Sequence, residues 1–393
     1  MNNKKRGNGY SLTRREFLGR LAGLLIAGEL LCFDEGKTTS TDTFRGGIKP
    51  KEVASGDFTK EALYYQKLAK NIIRCQLCPN QCTLTPGSRG ICGVRENSKG
   101  TLYTLVYSRV CALHNDPIEK KPLFHYHPGI SALSLATPGC NFTCKYCQNW
   151  EISQSLPEEV DCFYLPPEGL IKLAKKYKAK ALAFTYSEPV IFYEYMYECA
   201  TLGKKAGIPG IMISNGFIEE KPLKELCKQL GAVKIDFKGF SEEFYTNICS
   251  GRLLPVLNTL ENLKKIGIWF EIVILILPTL NDNPQEIKKM CEWIKNNLGV
   301  DVPVHFSRFF PAYKLQNLSA TPIDTLEQLR KIAQDVGLHY VYIGNVPGHI
   351  GENTYCPKCK KEIISRVGYK ILNLNILKGK CKYCGYPIAG VWD

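Results

Sequence analysis

The chain has 393 residues, 45% of them hydrophobic and 22% charged, with 18 cysteines and a net charge of +14. At about 150 residues per domain this composition belongs to a globular protein with one large domain and small satellites, and it excludes wholesale disorder, collagen and a multi-span membrane protein. The charge is split between the ends, +5 in residues 1–20 and +6 in residues 356–393, so only +3 remains for the residues between; phosphate binding needs clustered basic groups, and the main body carries no strong nucleic-acid signal.

Residues 1–34 form a leader. Lys4, Lys5 and Arg6 precede Thr13, Arg14, Arg15, Glu16, Phe17 and Leu18, and an apolar stretch runs from Leu21 to Leu31. This resembles a twin-arginine export signal. The apolar stretch is interrupted by Glu29 and is too short to cross a hydrocarbon core of about 30 Å, so any membrane tether lies in the interface. Residues 35–69 read as a linker or helical segment.

A cysteine-rich module follows over residues 70–127. Cys75, Cys78, Cys82 and Cys92, with Gly87 and Gly90 permitting a tight fold-back, make a four-ligand metal site for which zinc and an auxiliary 4Fe-4S cluster are both open. Short spacings of this kind are those of metal ligands, whereas a disulfide framework belongs mainly to short secreted domains. Of the cysteines outside the clusters, Cys32, Cys111, Cys162, Cys199, Cys227, Cys249 and Cys291, most read as small buried hydrophobes, with Cys111 also open as a spare ligand.

Residues 128–349 repeat a three-part unit: a Lys- and Leu-rich helix, a glycine, then a β-branched apolar run. Gly207, Gly231, Gly267, Gly299 and Gly337 are read as left-handed helix caps before the strands IPGIMIS, AVKIDFK, IWFEIVILIL, VDVPVHFS and LHYVYIG, with SALSLAT and KALAFTY as two earlier strands. Asn283, Pro284 and Glu286 mark a helix start with a capping box, and Thr321 with Pro322 repeats part of it. Near-continuous apolar strands separated by helices predict a parallel sheet buried on both faces. The fold class is α/β, a full or partial (β/α) TIM-like barrel, with a doubly wound sheet as the alternative. Barrel chemistry collects on the loops after the strands.

Directly after the first strand stand Cys140, Cys144 and Cys147, with Tyr146 before the last. Three thiolates hold three corners of a 4Fe-4S cubane and leave one iron open to a small molecule. The spacing CxxxCxxC resembles the signature of radical S-adenosylmethionine (SAM) enzymes, in which SAM chelates that iron and is cleaved reductively to a 5'-deoxyadenosyl radical. The downstream loops resemble those of pyruvate formate-lyase activating enzymes. This resemblance implies SAM contacts at Ser187 and Glu188, where Tyr186-Ser187 replaces Gly-Gly, at Ser214 and Asn215, and at Asp236 and Lys238, with Tyr146 near the adenine. Thr279 stands where the related turn, Pro278 to Asp282, has glycine.

Residues 350–393 form a small ribbon-like module. Cys356, Cys359, Cys381 and Cys384 present two knuckles to one metal, with zinc preferred over a rubredoxin-like iron, and so short a segment needs the metal to fold.

After residue 70, the segments NDPIEKKPLFHYHPG, GCNFTCKYCQNWEISQ, HFSRFFPAYKL and IGNVPGHIGENTYCPKC are similar to the AmmeMemoRadiSam system radical SAM enzyme family. Membership implies a one-electron donor of flavodoxin or ferredoxin type, a macromolecular or small substrate that is not identified, and Memo-like and Ammecr-like partner proteins. It makes His114, Asp116, Glu119, His125 and His127 candidates for the substrate mouth; Arg308, at the end of the strand VDVPVHFS, is a candidate anion contact by its barrel-mouth position. SAM and low-potential reductant are made in the cytoplasm, which places the protein there, with the leader as an interfacial tether and export by the twin-arginine route as the alternative. A glycyl-radical enzyme activase, and an iron-sulfur electron carrier without SAM chemistry, are the competing readings.

Overall fold

The computed structural model describes residues 47–48 and 56–392; the twin-arginine-like leader and Cys32 lie outside the described residues. The main sheet has eight strands: β1 (Ala112–Pro117), β2 (Ser131–Ala136), β3 (Ala181–Phe184), β4 (Gly210–Ser214), β5 (Leu230–Asp236), β6 (Trp269–Ile276), β7 (Val304–Arg308) and β8 (Val341–Gly344). They lie side by side in chain order, with β1 antiparallel to β2 and every later pair parallel. A doubly wound sheet would reverse its order part-way. This one does not reverse, and its edge strands β1 and β8 do not pair with each other.

Each parallel crossover carries one helix of eight or more residues: α1 (Pro167–Lys176), α2 (Tyr193–Lys205), α3 (Glu220–Cys227), α4 (Leu253–Ile266), α5 (Pro284–Asn297) and α6 (Ile323–Val336). Their apolar residues recur at helical spacing. In α5 these are Ile287, Met290, Cys291 and Ile294, all buried against the sheet. The strands supply the other half of that layer through Leu133, Leu182, Phe184, Met212, Val233 and Ile235. The alternate residues face the opposite side, where small Ala132, Ala181, Ala183 and Ala232 leave room for Leu123 and Tyr126 of the segment before β2.

All seven strands expected in the 128–349 region are present, and β1 extends their sheet. The cap reading holds for Gly207, Gly267, Gly299 and Gly337, whose φ angles are 72°, 78°, 98° and 107°. Gly231 is different. It lies inside β5, where a Cβ would sit 2.1 Å from the Tyr126 hydroxyl, so the glycine admits a side chain and does not end a helix. Asn283 caps α5 by accepting from the Gln285 and Glu286 N–H groups, but Glu286 accepts from Phe240 N–H and closes no capping box. Thr321 does not cap α6 either; its hydroxyl donates to the Ile276 carbonyl and accepts from Phe309 N–H, joining the loops after β6 and β7.

No helix is present in the described part of the 35–69 segment before residue 69; Lys60–Glu61 pairs with Thr101–Thr104, and Tyr65–Lys67 with Ile73–Cys75. The C-terminal residues form a hairpin, Glu362–Val367 with Lys370–Leu374, flanked by Thr354–Tyr355. Buried Arg366 fastens it by donating to the carbonyls of Phe124 and Glu352 and to the Thr354 hydroxyl, with its guanidinium 4.1 Å from the centre of the Phe124 ring. Among the described residues, no helix is long and apolar enough to cross a membrane.

Candidate functional site

A cavity of about 630 Å³ opens at the C-terminal ends of the parallel strands. It is lined by Cys140, Cys144, Tyr146 and Cys147 from the loop after β2, Ser187 and Glu188 after β3, Asn215 after β4, and Asp236 and Lys238 at the end of β5. The structure therefore brings together every SAM-contact and cysteine-triad residue expected from sequence except Ser214. Ser214 is buried behind the wall, where its hydroxyl donates to Glu188 over 2.7 Å.

The cysteine loop is held to the loop after β4 by amides. Asn141 donates to the Phe217 carbonyl and accepts from the Asn215 side chain over 2.7 Å, while the Asn80 side chain donates to the Asn141 carbonyl. Gly139, with φ 99°, lets the chain turn into this loop. A Cβ there would lie 2.6 Å from Val94 Cγ1 and 2.8 Å from the Cys92 carbonyl oxygen. Gly139→Ala is accordingly expected to cost about 3 kcal/mol, combining left-handed strain with overpacking. The midpoint of urea unfolding measures this.

Glu188 accepts from Asn215 N–H, Val190 N–H and the Ser214 hydroxyl. Burial pushes its carboxyl up to about 7, against these three donors. A carboxylate offers about four acceptor positions, so roughly one remains for a cationic or N–H group in the cavity. Asp236 is ion-paired with Lys234, and Lys238 Nζ lies 3.6 Å from its other oxygen. Burial alone would raise the Asp236 pKa; the two lysines bring it below the ordinary carboxylate range. Lys234 is a cavity residue that the motif reading missed, although the period of two along β5 places it on the same face as Asp236.

Tyr186 takes φ 66°, the left-handed conformation a glycine would adopt freely, so the loop keeps that backbone course without glycine. Its hydroxyl donates to Asp116, Lys121 lies 5.1 Å from its ring centre, and the Asn149 side chain donates to its carbonyl. Thr279 likewise has φ 68°. Of the residues expected at the mouth, His114 lines the cavity and Asp116 reaches it through Tyr186. Glu119 and His125 do not line it. Glu119 accepts from Gly129 N–H, and the buried His125 ring meets the Ala389 carbonyl and the Tyr342 hydroxyl toward the other end of the strands. The main chain of His127 donates to the Val391 carbonyl. Arg308 donates to the Thr321 carbonyl, also outside the cavity lining.

Among the described residues, Cys356, Cys359, Cys381 and Cys384 form a group with all ligand atoms within 4.8 Å of one another. The Cys356–Cys384 and Cys359–Cys381 sulfurs are 3.6 and 3.8 Å apart. Zinc–sulfur bonds of about 2.3 Å in a tetrahedron require sulfurs about 3.8 Å apart. The Lys361 N–H and the neighbouring thiols bring Cys359 down to about 7, toward the thiolate that binds metal. This site can hold one metal ion.

The radical SAM superfamily profile matches residues 134–294. The uncharacterized protein MJ0808 of Methanocaldococcus jannaschii is 46% identical over 331 residues, covering 84% of this chain and 98% of that protein. A pyruvate formate-lyase-activating enzyme of Clostridium pasteurianum is 23% identical, covering 53% of this chain and 92% of its own. A crystallised domain of such an enzyme from Bacteroides vulgatus aligns with 42% of this chain and all of that domain, at 15% identity and a TM-score of 0.39.

Proposed function

This chain belongs to the radical SAM superfamily and to the family of the M. jannaschii protein MJ0808, and we propose that Cys140, Cys144 and Cys147 hold its 4Fe-4S cluster with SAM in the adjoining cavity. The chain is an enzyme of SAM-dependent radical chemistry, needs a one-electron donor and acts on a substrate that is not identified. The observation that carries the site assignment is the convergence of three thiol groups with Glu188, Asn215, Asp236 and Lys238 on one cavity at successive strand ends.

The donor set fits. Three thiols supply three iron ligands, and the cavity volume of about 630 Å³ suits a nucleoside-sized ligand. When bound, the cluster supplies the electron that breaks a sulfonium C–S bond of SAM, giving methionine and a 5'-deoxyadenosyl radical that takes a hydrogen atom from the substrate. The chain binds and orients. Glu188 offers its remaining acceptor position to the SAM ammonium, and Asn215 keeps Glu188 and the cysteine loop in register. Asp236 and Lys238 face the ribose and carboxylate, Ser187 adds to the cavity wall, and Tyr146 packs near the adenine. Ser214 acts through Glu188. We read the unclosed parallel wall as a partial TIM-like barrel over residues 128–349, preceded by the cysteine-rich module of residues 70–127. The four-cysteine module from residue 350 is read as a zinc ribbon.

The protein works on the cytoplasmic side, where SAM and reductant are made. Memo-like and Ammecr-like proteins are its expected partners. Relatedness to pyruvate formate-lyase-activating enzymes supports a second reading, activation of a glycyl-radical enzyme.

The reconstituted protein, given dithionite and SAM without oxygen, is expected to release 5'-deoxyadenosine and methionine in equal amounts, and SAM is expected to change the electron paramagnetic resonance spectrum of the reduced cluster. No cleavage by a fully loaded protein refutes the assignment. Glu188→Gln should retain the cluster absorbance and weaken SAM binding on the order of 10- to 100-fold, the worth of one charge-assisted hydrogen bond. Equilibrium dialysis with labelled SAM reads this directly.

A further inference from the structure

We infer that Cys75, Cys78, Cys82 and Cys92 hold a second iron-sulfur cluster of the 4Fe-4S type, not a single zinc ion, and that buried Arg95 balances its negative charge.

The two cysteine quartets of this chain differ in geometry. The C-terminal four are drawn together as one tetrahedral ion requires, and among the described residues the N-terminal four are not gathered in that way. They nevertheless share one neighbourhood: charge on Cys78 is felt from Cys75, Cys92 and Cys82. A cubane attaches each thiolate to a different iron and so holds its ligands further apart than one ion does. Among the described residues, Cys140, Cys144 and Cys147 likewise form no group as compact as the C-terminal four.

The local fold is built for four converging sulfurs. Cys75 N–H donates to the Cys82 carbonyl, which pairs two of them across a tight hairpin. Left-handed Gly87, with φ of 82°, turns the chain ahead of Cys92, and left-handed Gly93, with φ of 75°, donates to the Gly90 carbonyl and closes the turn that carries Cys92. Gly90 shares in this fold-back, its N–H donating to the Arg95 carbonyl and its carbonyl accepting from Gly93 N–H, and it lies against Cys82, whose sulfur is 3.6 Å from where a Cβ would be.

Arg95 is the independent observation. Its side chain is 2% exposed, one terminal nitrogen is spent on Glu194 and the Leu63 carbonyl, and Nε and the other terminal nitrogen have no partner. The charges acting on it are Glu194 and then Cys75, Cys92 and Cys78. A buried guanidinium with two unpartnered nitrogens near Cys75, Cys92 and Cys78 is costly unless an anionic group accepts their N–H groups. Four thiolates around one divalent ion carry net charge −2, as does an oxidised cubane with four thiolates. Only the cubane adds sulfide acceptors, and it gains a further negative charge on reduction. The Cys92 carbonyl packs on Gly139, next to Cys140, so this second site abuts the first.

The test uses the full chain with Cys140→Ala, Cys144→Ala and Cys147→Ala combined, so its outcome does not depend on the SAM-site assignment. After anaerobic loading with iron and sulfide, about four acid-labile sulfides per chain should remain, with a reduced-cluster signal indifferent to SAM. Adding Cys78→Ser and Cys82→Ser should remove both. Sulfide near zero, or a second zinc in place of iron, overturns the inference. Arg95→Met should make the reduction potential of the remaining cluster more negative, and nearly isosteric Glu194→Gln should move it the other way. A potential unmoved in Glu194→Gln overturns the role of Arg95, even where Arg95→Met does not fold.

Discussion

Replacing any one of Cys140, Cys144 or Cys147 by alanine is expected to reduce reductive SAM cleavage to that of a protein-free control. All three line one cavity with Glu188 and Asp236, and a cubane lacking one of its three protein ligands loses the anchor of one iron. Cys249 is the thiol to compare. It is buried behind the cavity, 3.5 Å from the Tyr146 hydroxyl, and is absent from the lining. Cys249→Ala should therefore leave cluster content and SAM cleavage measurable. The assay is 5'-deoxyadenosine formed per loaded cluster. Undiminished cleavage in any triad variant removes the ligand assignment, and full loss in Cys249→Ala without loss of fold adds a fourth residue to the site.

Stripping the metal from Cys356, Cys359, Cys381 and Cys384 should lower the melting temperature by roughly 10 °C or more, since a structural metal contributes many kcal/mol to a small module. The effect should reach beyond the module. Cys356, Cys381 and Ile364 share a core with Phe124, Tyr340 and Tyr342, and Arg366 donates to the Phe124 carbonyl. Loosening the knuckles exposes buried Arg366 and His125 together. A melting curve of the full chain before and after a thiol-competitive chelator, with zinc added back, provides the check. An unchanged transition would make the metal incidental to stability. Metal analysis of the untreated protein tells zinc from iron.

The strands β4, β6, β7 and β8 were legible because each combines a β-branched run with a glycine that ends the preceding helix, and both signals are local, whereas β2, β3 and β5 were legible from their apolar runs alone. Strand β1 was not legible: its alternate positions are polar, it ends in Pro117, and it is an edge whose pairing with β2 is settled by tertiary packing. Gly231 shows the same limit. Sequence displays a glycine there, but the reason for it is Tyr126, more than a hundred residues earlier, whose hydroxyl occupies the space a Cβ would take. The cavity was read well where a motif follows a strand, as at Glu188 and Asp236. It was read poorly at His125, a polar residue that belongs to a buried network with Tyr342 and Ala389. Lys234 needed only the two-residue period of its strand.

Tyr186 holds a left-handed turn that would be free for glycine and costs about 1–2 kcal/mol for any other residue. Here the cost is offset by a hydroxyl bond to Asp116, which is itself paired with Lys120 and Lys121. These residues are therefore expected to change as a unit. A lineage that restores glycine at this position is released from keeping Asp116 and Lys121, and one that keeps the tyrosine is bound to retain them. In an alignment of close relatives, the three positions should change together, and a tyrosine without its aspartate should be rare.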